Sequence, residues 1–223
     1  MKTCVVTCTG GRPELFALCR RWVMRQSPDL WIVTTDTGEV PAFLPDYAEH
    51  HHIESAGADE ALIRALAFVP SDHAVIVMED DDWYAPNHVE VGMMELRSGA
   101  DFTCGDKTAR WHLPTSRWSG WHQPESFIQG TIMIHPRWVS NYTGIIGSWK
   151  NGHVPKHVES RYPEATSVGI KGVGHGLPGR AGATNSHKKH HRKVAAMPID
   201  KGYAEFRKAI GDEDAKAYLE LLL

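Results

Sequence analysis

The first hundred residues alternate strand-type and helix-type segments, and this alternation is the strongest constraint on the fold. Short apolar runs rich in β-branched residues occupy residues 3–9, 30–36 and 73–79. Apolar residues recur at helical spacing after Pro13, within 58–68 and over 86–99. Strands that alternate with helices predict a parallel sheet covered on both faces. We therefore expect an α/β fold with a Rossmann-like, mostly parallel central sheet.

The remainder of the chain is less regular. Residues 100–106 and 126–136 have the composition of further strands, and residues 154–165 could hold a short helix. A strand pattern from Ser167 runs into a glycine-rich segment, and two short helical patterns near the end are split at Gly211. With no internal repeat and no clear linker, the 223 residues are interpreted as one domain.

Composition excludes several classes of protein. The formal net charge of -3 argues against a chain that is basic overall, so any nucleic-acid contact must come from a local patch. The four cysteines form no CxxC pair and are expected to be reduced and buried. No apolar run approaches the roughly 20 residues that cross a bilayer, so we expect a cytoplasmic protein without membrane insertion.

Four consecutive acids, Glu79 to Asp82, follow the apolar residues 75–78. Ligands of open α/β sheets bind beyond the carboxyl ends of the strands, which is where these acids fall. In an extended segment, Asp80 and Asp82 point the same way and Asp81 points elsewhere. Two convergent carboxylates suit Mg²⁺ or Mn²⁺, which commonly bridges protein to a diphosphate. The alternative is a solvated acidic loop.

Three motifs together resemble a known family. "CTGGRPE" at residues 8–14, "IVTTDTG" at 32–38 and "VIVMEDDDWYAPNHVE" at 75–90 are similar, in order and spacing, to motifs of family-2 glycosyltransferases of the GT-A fold. The third corresponds to the DXD motif of that family. The resemblance covers the first hundred residues well and the remainder loosely. It implies metal-dependent transfer of a sugar from a nucleotide sugar, with a UDP-sugar favoured, to a hydroxyl acceptor.

The resemblance also implies roles for individual residues. Thr9 and Arg12 would line the nucleotide pocket, Asp36 would bond the base, and Arg64 would pack near the nucleotide. Asp80 would lie near the ribose or the metal, Asp82 would bind the metal, and Asp81 is assigned to substrate binding. Each residue also has a structural alternative that involves no ligand. Arg12 could be a surface residue at the start of a helix, Asp36 could be a turn residue, and Arg64 could be a solvated charge on a helix. The first motif lacks the usual Pro and Asn, and Thr35 replaces one Asp of the second.

Residues 101–185 would complete the active site of such an enzyme. The family often supplies a late His as third metal ligand and a basic residue for the diphosphate, which implies His175 and Arg180 in the glycine-rich segment. The alternative is a flexible glycine loop. An inverting transfer needs a general base, for which Glu159 is the first choice and Glu125 the reserve. A retaining transfer would need no such base.

The acceptor is suggested only by composition. The aromatic residues Trp83, Trp111, Trp118 and Trp121 could be stacking surfaces or a hydrophobic cluster. The basic tract at 187–193, within a C-terminal part from 186 to 223, could grip phosphates or be a solvated run. A hydroxymethylated base in DNA, as glycosylated by some bacteriophage enzymes, is one acceptor hypothesis, and an envelope or capsule saccharide is the other. A nucleotidyltransferase and a non-catalytic nucleic-acid-binding protein are the rival classes.

Overall fold

The computed structural model describes residues 1–10, 12–35, 40–54, 58–121, 132–139, 159–162, 165–171 and 195–222. The strands in these ranges are β1 (Lys2–Thr9), β2 (Leu30–Thr35), β3 (Ala48–His52), β4 (His73–Val77), β5 (Trp83–Tyr84), β6 (Phe102–Gly105), β7 (Ala109–His112), β8 (Arg117–Trp118), β9 (Met133–Ile134), β10 (Glu159–Tyr162) and β11 (Ser167–Lys171). The α-helices are α1 (Pro13–Gln26), α2 (Ala58–Ala65), α3 (His88–Arg97), α4 (Pro136–Val139), α5 (Ala204–Ile210) and α6 (Asp212–Leu219).

A seven-stranded sheet in the order β10-β6-β9-β4-β1-β2-β3 forms the centre of the fold. β9 pairs antiparallel with β4 and β6, and the other neighbouring strands pair in parallel. The predicted α/β fold with a Rossmann-like, mostly parallel central sheet is therefore confirmed.

The two faces of this sheet are buried by different helices. Val5 and Ile76 point to the face that packs against α1 and α3, where Trp22 and Met93 are buried. Val6 and Val75 point to the opposite face, against Leu62 of α2. Alternate residues of one strand thus enter two separate cores, which explains the continuous apolar runs of β1 and β4.

A second sheet, in the order β5-β11-β7-β8, packs beside the C-terminal helices. Trp111 and Trp118 are buried there, and the Trp111 ring lies 4.7 Å from the ring of Phe206 in α5. Gly211, whose φ is 85°, separates α5 from α6. The positive φ favours glycine, and the predicted break between two C-terminal helices is confirmed.

Two elements illustrate how the structure departs from the sequence-based expectations. β3 was not expected because Ala48–His52 is polar, yet it pairs in parallel with β2 at the sheet edge. Residues 159–162, expected within a helix, form β10 because their backbone pairs in parallel with β6. In both cases a neighbouring strand supplies the backbone hydrogen bonds that decide the structure. Among the described residues, the helices are all too short or too polar to cross a membrane.

Candidate functional site

The carboxyl ends of three central strands meet at one edge of the large sheet. Thr9, the last residue of β1, lies in register beside Thr35, the last residue of β2. β4 ends at Val77, on the other side of β1, and leads directly into the acids at 79–82. Parallel pairing therefore brings together the three motifs that are far apart in sequence.

The four acids form a turn, here called the acidic turn, rather than a continuation of the strand. After β4 the chain turns at Asp80 and Asp81 and bends at Asp82. Glu79, Asp81 and Asp82 each place one carboxylate oxygen so that all three oxygens lie within 4.8 Å of one another. The expected convergence of Asp80 and Asp82, with Asp81 pointing away, is wrong because side chains alternate only in extended backbone. The sequence reasoning also missed Glu79.

Asp80 has a different environment from the other three acids. Its side chain is 1% exposed, and its Oδ2 accepts a hydrogen bond of 2.6 Å from Thr9 Oγ1. Its Oδ1 pairs with the guanidinium of Arg12. Burial raises the pKa of Asp80, while the positive charge of Arg12 acts in the opposite direction. Asp80 is thus a buried, paired carboxylate.

Arg12 connects the acidic turn to the start of α1. Its carbonyl oxygen accepts the hydrogen bond of Phe16 N–H at 2.9 Å, which fixes the backbone where the helix begins. Its Nη1 lies 3.3 Å from Asp81 Oδ2, while Nη2 contacts Asp80. Burial alone would lower the pKa of Arg12, but these two carboxylates raise it above its ordinary value. The guanidinium therefore stays charged.

Two contacts, one local and one from a distant part of the chain, hold the acidic turn in shape. The N–H of Glu79 donates to the hydroxyl oxygen of buried Tyr84 at 2.7 Å. The N–H of Ile170, in β11, donates to Asp82 Oδ1 at 3.1 Å. The second sheet, through β5 and β11, therefore contributes to the position of the carboxylates.

Two cavities open beside this turn. The larger has a volume of about 510 Å³, and its lining includes Thr9, Thr35, Phe16 and Phe43. The smaller, of about 210 Å³, is lined by residues that include Cys8, Asp80 and Asp81. Arg12 lines both cavities. The larger volume is within the range of small-molecule sites, about 300–1,000 Å³.

The donor set of the acidic turn fits a hard divalent cation. Three carboxylates offer oxygen ligands close together, as Mg²⁺ and Mn²⁺ require. The N–H of Ile170 donates to Oδ1 of Asp82 and so fixes the orientation of this carboxylate within the group. The predicted cofactor, Mn²⁺ or Mg²⁺, thus has a group of residues at this sheet edge that can hold it.

Other residues predicted for the site lie elsewhere or are not described. Arg64 pairs with Glu60 one helical turn away, and its Nη1 donates to the carbonyl of Glu54 at 2.7 Å. Trp83 is 5% exposed and its Nε1 donates to Asp214 at 2.8 Å, so its indole is not an exposed stacking surface. Glu159 belongs to β10 by its backbone. The predictions that lie outside the described residues concern Asp36, Glu125, His175, Arg180 and the basic tract 187–193.

Comparison with known proteins shows a shared fold. No protein-family model matches the chain, and no curated protein sequence matches it significantly. The structure is similar to that of Rv0371C from Mycobacterium tuberculosis in complex with manganese, with a TM-score of 0.53 and 14% identity over 88% of this chain and 99% of that chain. At this identity the likeness establishes a common fold.

Two further solved structures have lower scores. A protein of Bacillus anthracis assigned as a glucose-1-phosphate thymidylyltransferase, in complex with sucrose, has a TM-score of 0.47 and 10% identity over 89% of this chain and 97% of that chain. The 2-C-methyl-D-erythritol 4-phosphate cytidylyltransferase of Francisella tularensis has a TM-score of 0.47 and 8% identity over 87% of this chain and 100% of that chain. At these scores neither structure carries an argument about function.

Proposed function

We propose that the protein is a metal-dependent glycosyltransferase that moves a sugar from a nucleotide sugar, with a UDP-sugar as first choice, to a hydroxyl acceptor. The observation that carries this proposal is the position of Arg12. Arg12 lines both the 510 Å³ cavity and the 210 Å³ cavity beside Asp80 and Asp81. A ligand with its nucleoside in the larger cavity and its phosphates in the smaller one would therefore pass the guanidinium of Arg12. A nucleoside diphosphate has that shape and charge.

The larger cavity has the features expected of a nucleoside pocket. Its lining includes the exposed ring of Phe43, and the hydroxyl-bearing residues Thr9 and Thr35 also line it. A nucleobase stacks on aromatic rings, and a small number of polar groups fixes its orientation. Asp36, which follows Thr35 directly in the chain, is proposed to hydrogen-bond the base.

The acidic turn would hold the metal through Glu79, Asp81 and Asp82. A bound Mn²⁺ or Mg²⁺ would stabilise the charge that develops on the departing nucleoside diphosphate. The manganese complex of Rv0371C, a protein of the same fold, supports this choice of metal. His175 and Arg180 are proposed to complete the metal and phosphate contacts, and Glu159, with Glu125 as reserve, to accept the proton of the acceptor hydroxyl.

The acceptor proposal rests on composition. Seven consecutive residues at 187–193 are Lys, Arg or His in a chain of net charge -3, which suits a polyanion. A hydroxymethylated base in DNA is therefore the first acceptor to test, and an envelope or capsule saccharide is the second. Transfer to DNA should weaken steeply between low and physiological salt, whereas transfer to a neutral saccharide should not.

The donor site is tested by calorimetric titration of UDP with and without Mn²⁺. We expect Mn²⁺ to strengthen UDP binding at least about tenfold, because the metal would bridge carboxylates and diphosphate. Asp82→Ala should abolish this Mn²⁺-dependent increase in UDP affinity. Asp72→Ala, which removes an exposed carboxylate at the other end of β4, is the matched control and should keep it.

A screen of UDP-sugars then distinguishes the reaction classes. Release of UDP from a UDP-sugar, with loss of this activity in Asp82→Ala, would support the glycosyltransferase. Release of pyrophosphate from a nucleoside triphosphate and a sugar phosphate would instead identify a nucleotidyltransferase. Metal-independent binding of UDP, or no binding of any nucleotide, would contradict the proposed donor site.

A further inference from the structure

The guanidinium of Arg12 lies within the acidic turn. It is 19% exposed and bonds two of the four carboxylates of the turn, those of Asp80 and Asp81. One of these two, Asp81, also belongs to the triad whose oxygens converge. The same carboxylate therefore serves a fixed cation of the chain and the place where a divalent cation would bind.

We propose that Arg12 is a built-in counter-cation of the acidic turn, and that a divalent ion displaces it from Asp81 while Asp80 retains it. This inference rests on the metal site of the proposed function, but it does not depend on the nucleotide. It gives Asp80 the role of a positioning residue for Arg12 rather than that of a metal ligand.

Electrostatics favours this exchange. A dication at the triad would lie close to a guanidinium nitrogen that is 3.3 Å from Asp81 Oδ2, and like charges at such separations repel strongly in a partly buried site. A dication held by the triad would contact all three carboxylates at once, whereas Nη1 contacts one of them. Such an ion would therefore outcompete Nη1 for Asp81.

The geometry of Arg12 permits the exchange without loss of the side chain's position. Its two terminal nitrogens contact different carboxylates, Nη2 with Asp80 and Nη1 with Asp81. Asp80 is 1% exposed and is held by Thr9, so its contact persists when the other breaks. Nη1 then becomes available at the boundary of the two cavities, where a phosphate oxygen of the donor would lie. Metal binding would thus prepare Arg12 for the diphosphate.

The proposal predicts an unusual sign for one substitution, measured by titrating Mn²⁺ into the nucleotide-free protein. Arg12→Gln removes the competing cation, so its Mn²⁺ affinity should rise by at least about fivefold. Arg20→Gln is the matched control, because Arg20 lines the same large cavity but contacts the carbonyl and ring of Phe43. Its Mn²⁺ affinity should change less than about twofold.

A second measurement uses the unaltered protein and does not require a variant that folds. Phenylglyoxal modifies arginine, and the rate at each arginine is read by mass spectrometry of peptides. Mn²⁺ should accelerate modification of Arg12 at least about threefold, because Nη1 is released, and leave Arg20 unchanged.

The outcomes separate the two proposals. If Mn²⁺ binds but neither its affinity in Arg12→Gln nor the reactivity of Arg12 rises, the displacement is wrong and the metal site stands. If Mn²⁺ binds to neither protein, both the displacement and the metal site are wrong. A rise in both quantities supports the displacement even if no nucleotide sugar is ever turned over.

Discussion

Two arginines near opposite ends of α1 each pair with a buried aspartate, but with different results. Arg25 donates to both oxygens of Asp214 at 2.6 Å, and Trp83 Nε1 donates to the same carboxylate at 2.8 Å. Arg25 also lies over the Trp22 ring, 4.6 Å from its centroid. The Asp214 carboxylate is saturated by donors, and this cluster joins α6 to α1 and β5.

The Arg12 cluster is arranged differently. One guanidinium is shared by Asp80 and Asp81, and two cavities adjoin it. A guanidinium that is shared by two carboxylates beside open space can give up one contact to another cation, whereas a carboxylate that is saturated by donors has no such contact to exchange. The comparison teaches that one arginine–aspartate pair of α1 joins three elements of the fold, and that the other lies at the site proposed for the ligand.

The largest expected effect comes from Asp214→Asn. The new amide group would point N–H donors at Arg25 or Trp83, which can only donate, so one buried donor loses its acceptor. We expect the free energy of unfolding, measured by urea denaturation, to fall by about 3 kcal/mol. Mn²⁺ affinity should not change. Asp212→Asn, in the same turn of α6 but with a side chain 85% exposed, is the control and should cost less than about 0.5 kcal/mol. A similar loss in both variants would remove the distinction between the two clusters.

The sequence predicts the sheet but not these clusters. The strands and helices of the first hundred residues follow from local periodicity, which residues close in sequence determine. Arg25 and Asp214 are separated by 189 positions, and no local pattern connects them. β3 was missed for the same reason, since its polar residues become a strand only beside β2.

The acidic turn was predicted in composition and place but not in geometry. Its position after an apolar strand identified the sheet edge correctly. Its shape depends on Tyr84 and on the N–H of Ile170, 88 positions beyond Asp82, so an extended segment was the wrong assumption. The sequence left Trp83 as either a stacking surface or part of a hydrophobic cluster, since its partner, Asp214, lies 131 positions away and no local pattern connects the two.

The pH dependence of stability should next distinguish buried His88 from the Asp214 cluster. Burial lowers the pKa of His88 from 6.5 to about 3, so unfolding takes up a proton as the pH falls through this window. Between pH 7 and about pH 4.5, we expect a loss of about 2–3 kcal/mol in the free energy of unfolding from His88 alone. In His88→Gln, urea denaturation at the two ends of this pH range should show a loss in the free energy of unfolding that is smaller by that amount.

The Asp214 cluster responds at lower pH. Burial alone would raise the pKa of Asp214, but bonds from Arg25 and Trp83 hold it below its ordinary value of 3.8. Its contribution to stability is therefore present above that value and is lost as the pH falls through the lowered pKa. If His88→Gln and the unaltered protein lose equal free energy of unfolding between pH 7 and about pH 4.5, that loss does not come from His88.

A smaller effect is expected for Tyr84→Phe, which changes the support of the acidic turn without changing its charge. The variant removes the hydroxyl oxygen that accepts the Glu79 N–H at 2.7 Å. We expect a loss of about 1 kcal/mol in stability and a fall of about threefold in Mn²⁺ affinity, because Glu79 is less well positioned. Tyr47→Phe, at a half-buried tyrosine before β3, should leave Mn²⁺ affinity unchanged. Unchanged affinity in Tyr84→Phe would mean that the turn holds its shape without this bond.

The smallest effect should come from Asp80→Asn, the counterpart of the change at Asp214. The two oxygens of Asp80 face different partners, Arg12 and the Thr9 hydroxyl. A hydroxyl both donates and accepts, so the new N–H groups can point at Thr9 while the remaining oxygen accepts from Arg12. The substitution also removes one of four adjacent negative charges. We expect stability to change by less than about 0.5 kcal/mol in urea denaturation without metal, and Mn²⁺ affinity to fall less than in Asp82→Asn. If the free energy of unfolding falls as much as in Asp214→Asn, Arg12 and Asp80 are also a pair that stabilises the fold, and the contrast between the two ends of α1 is wrong.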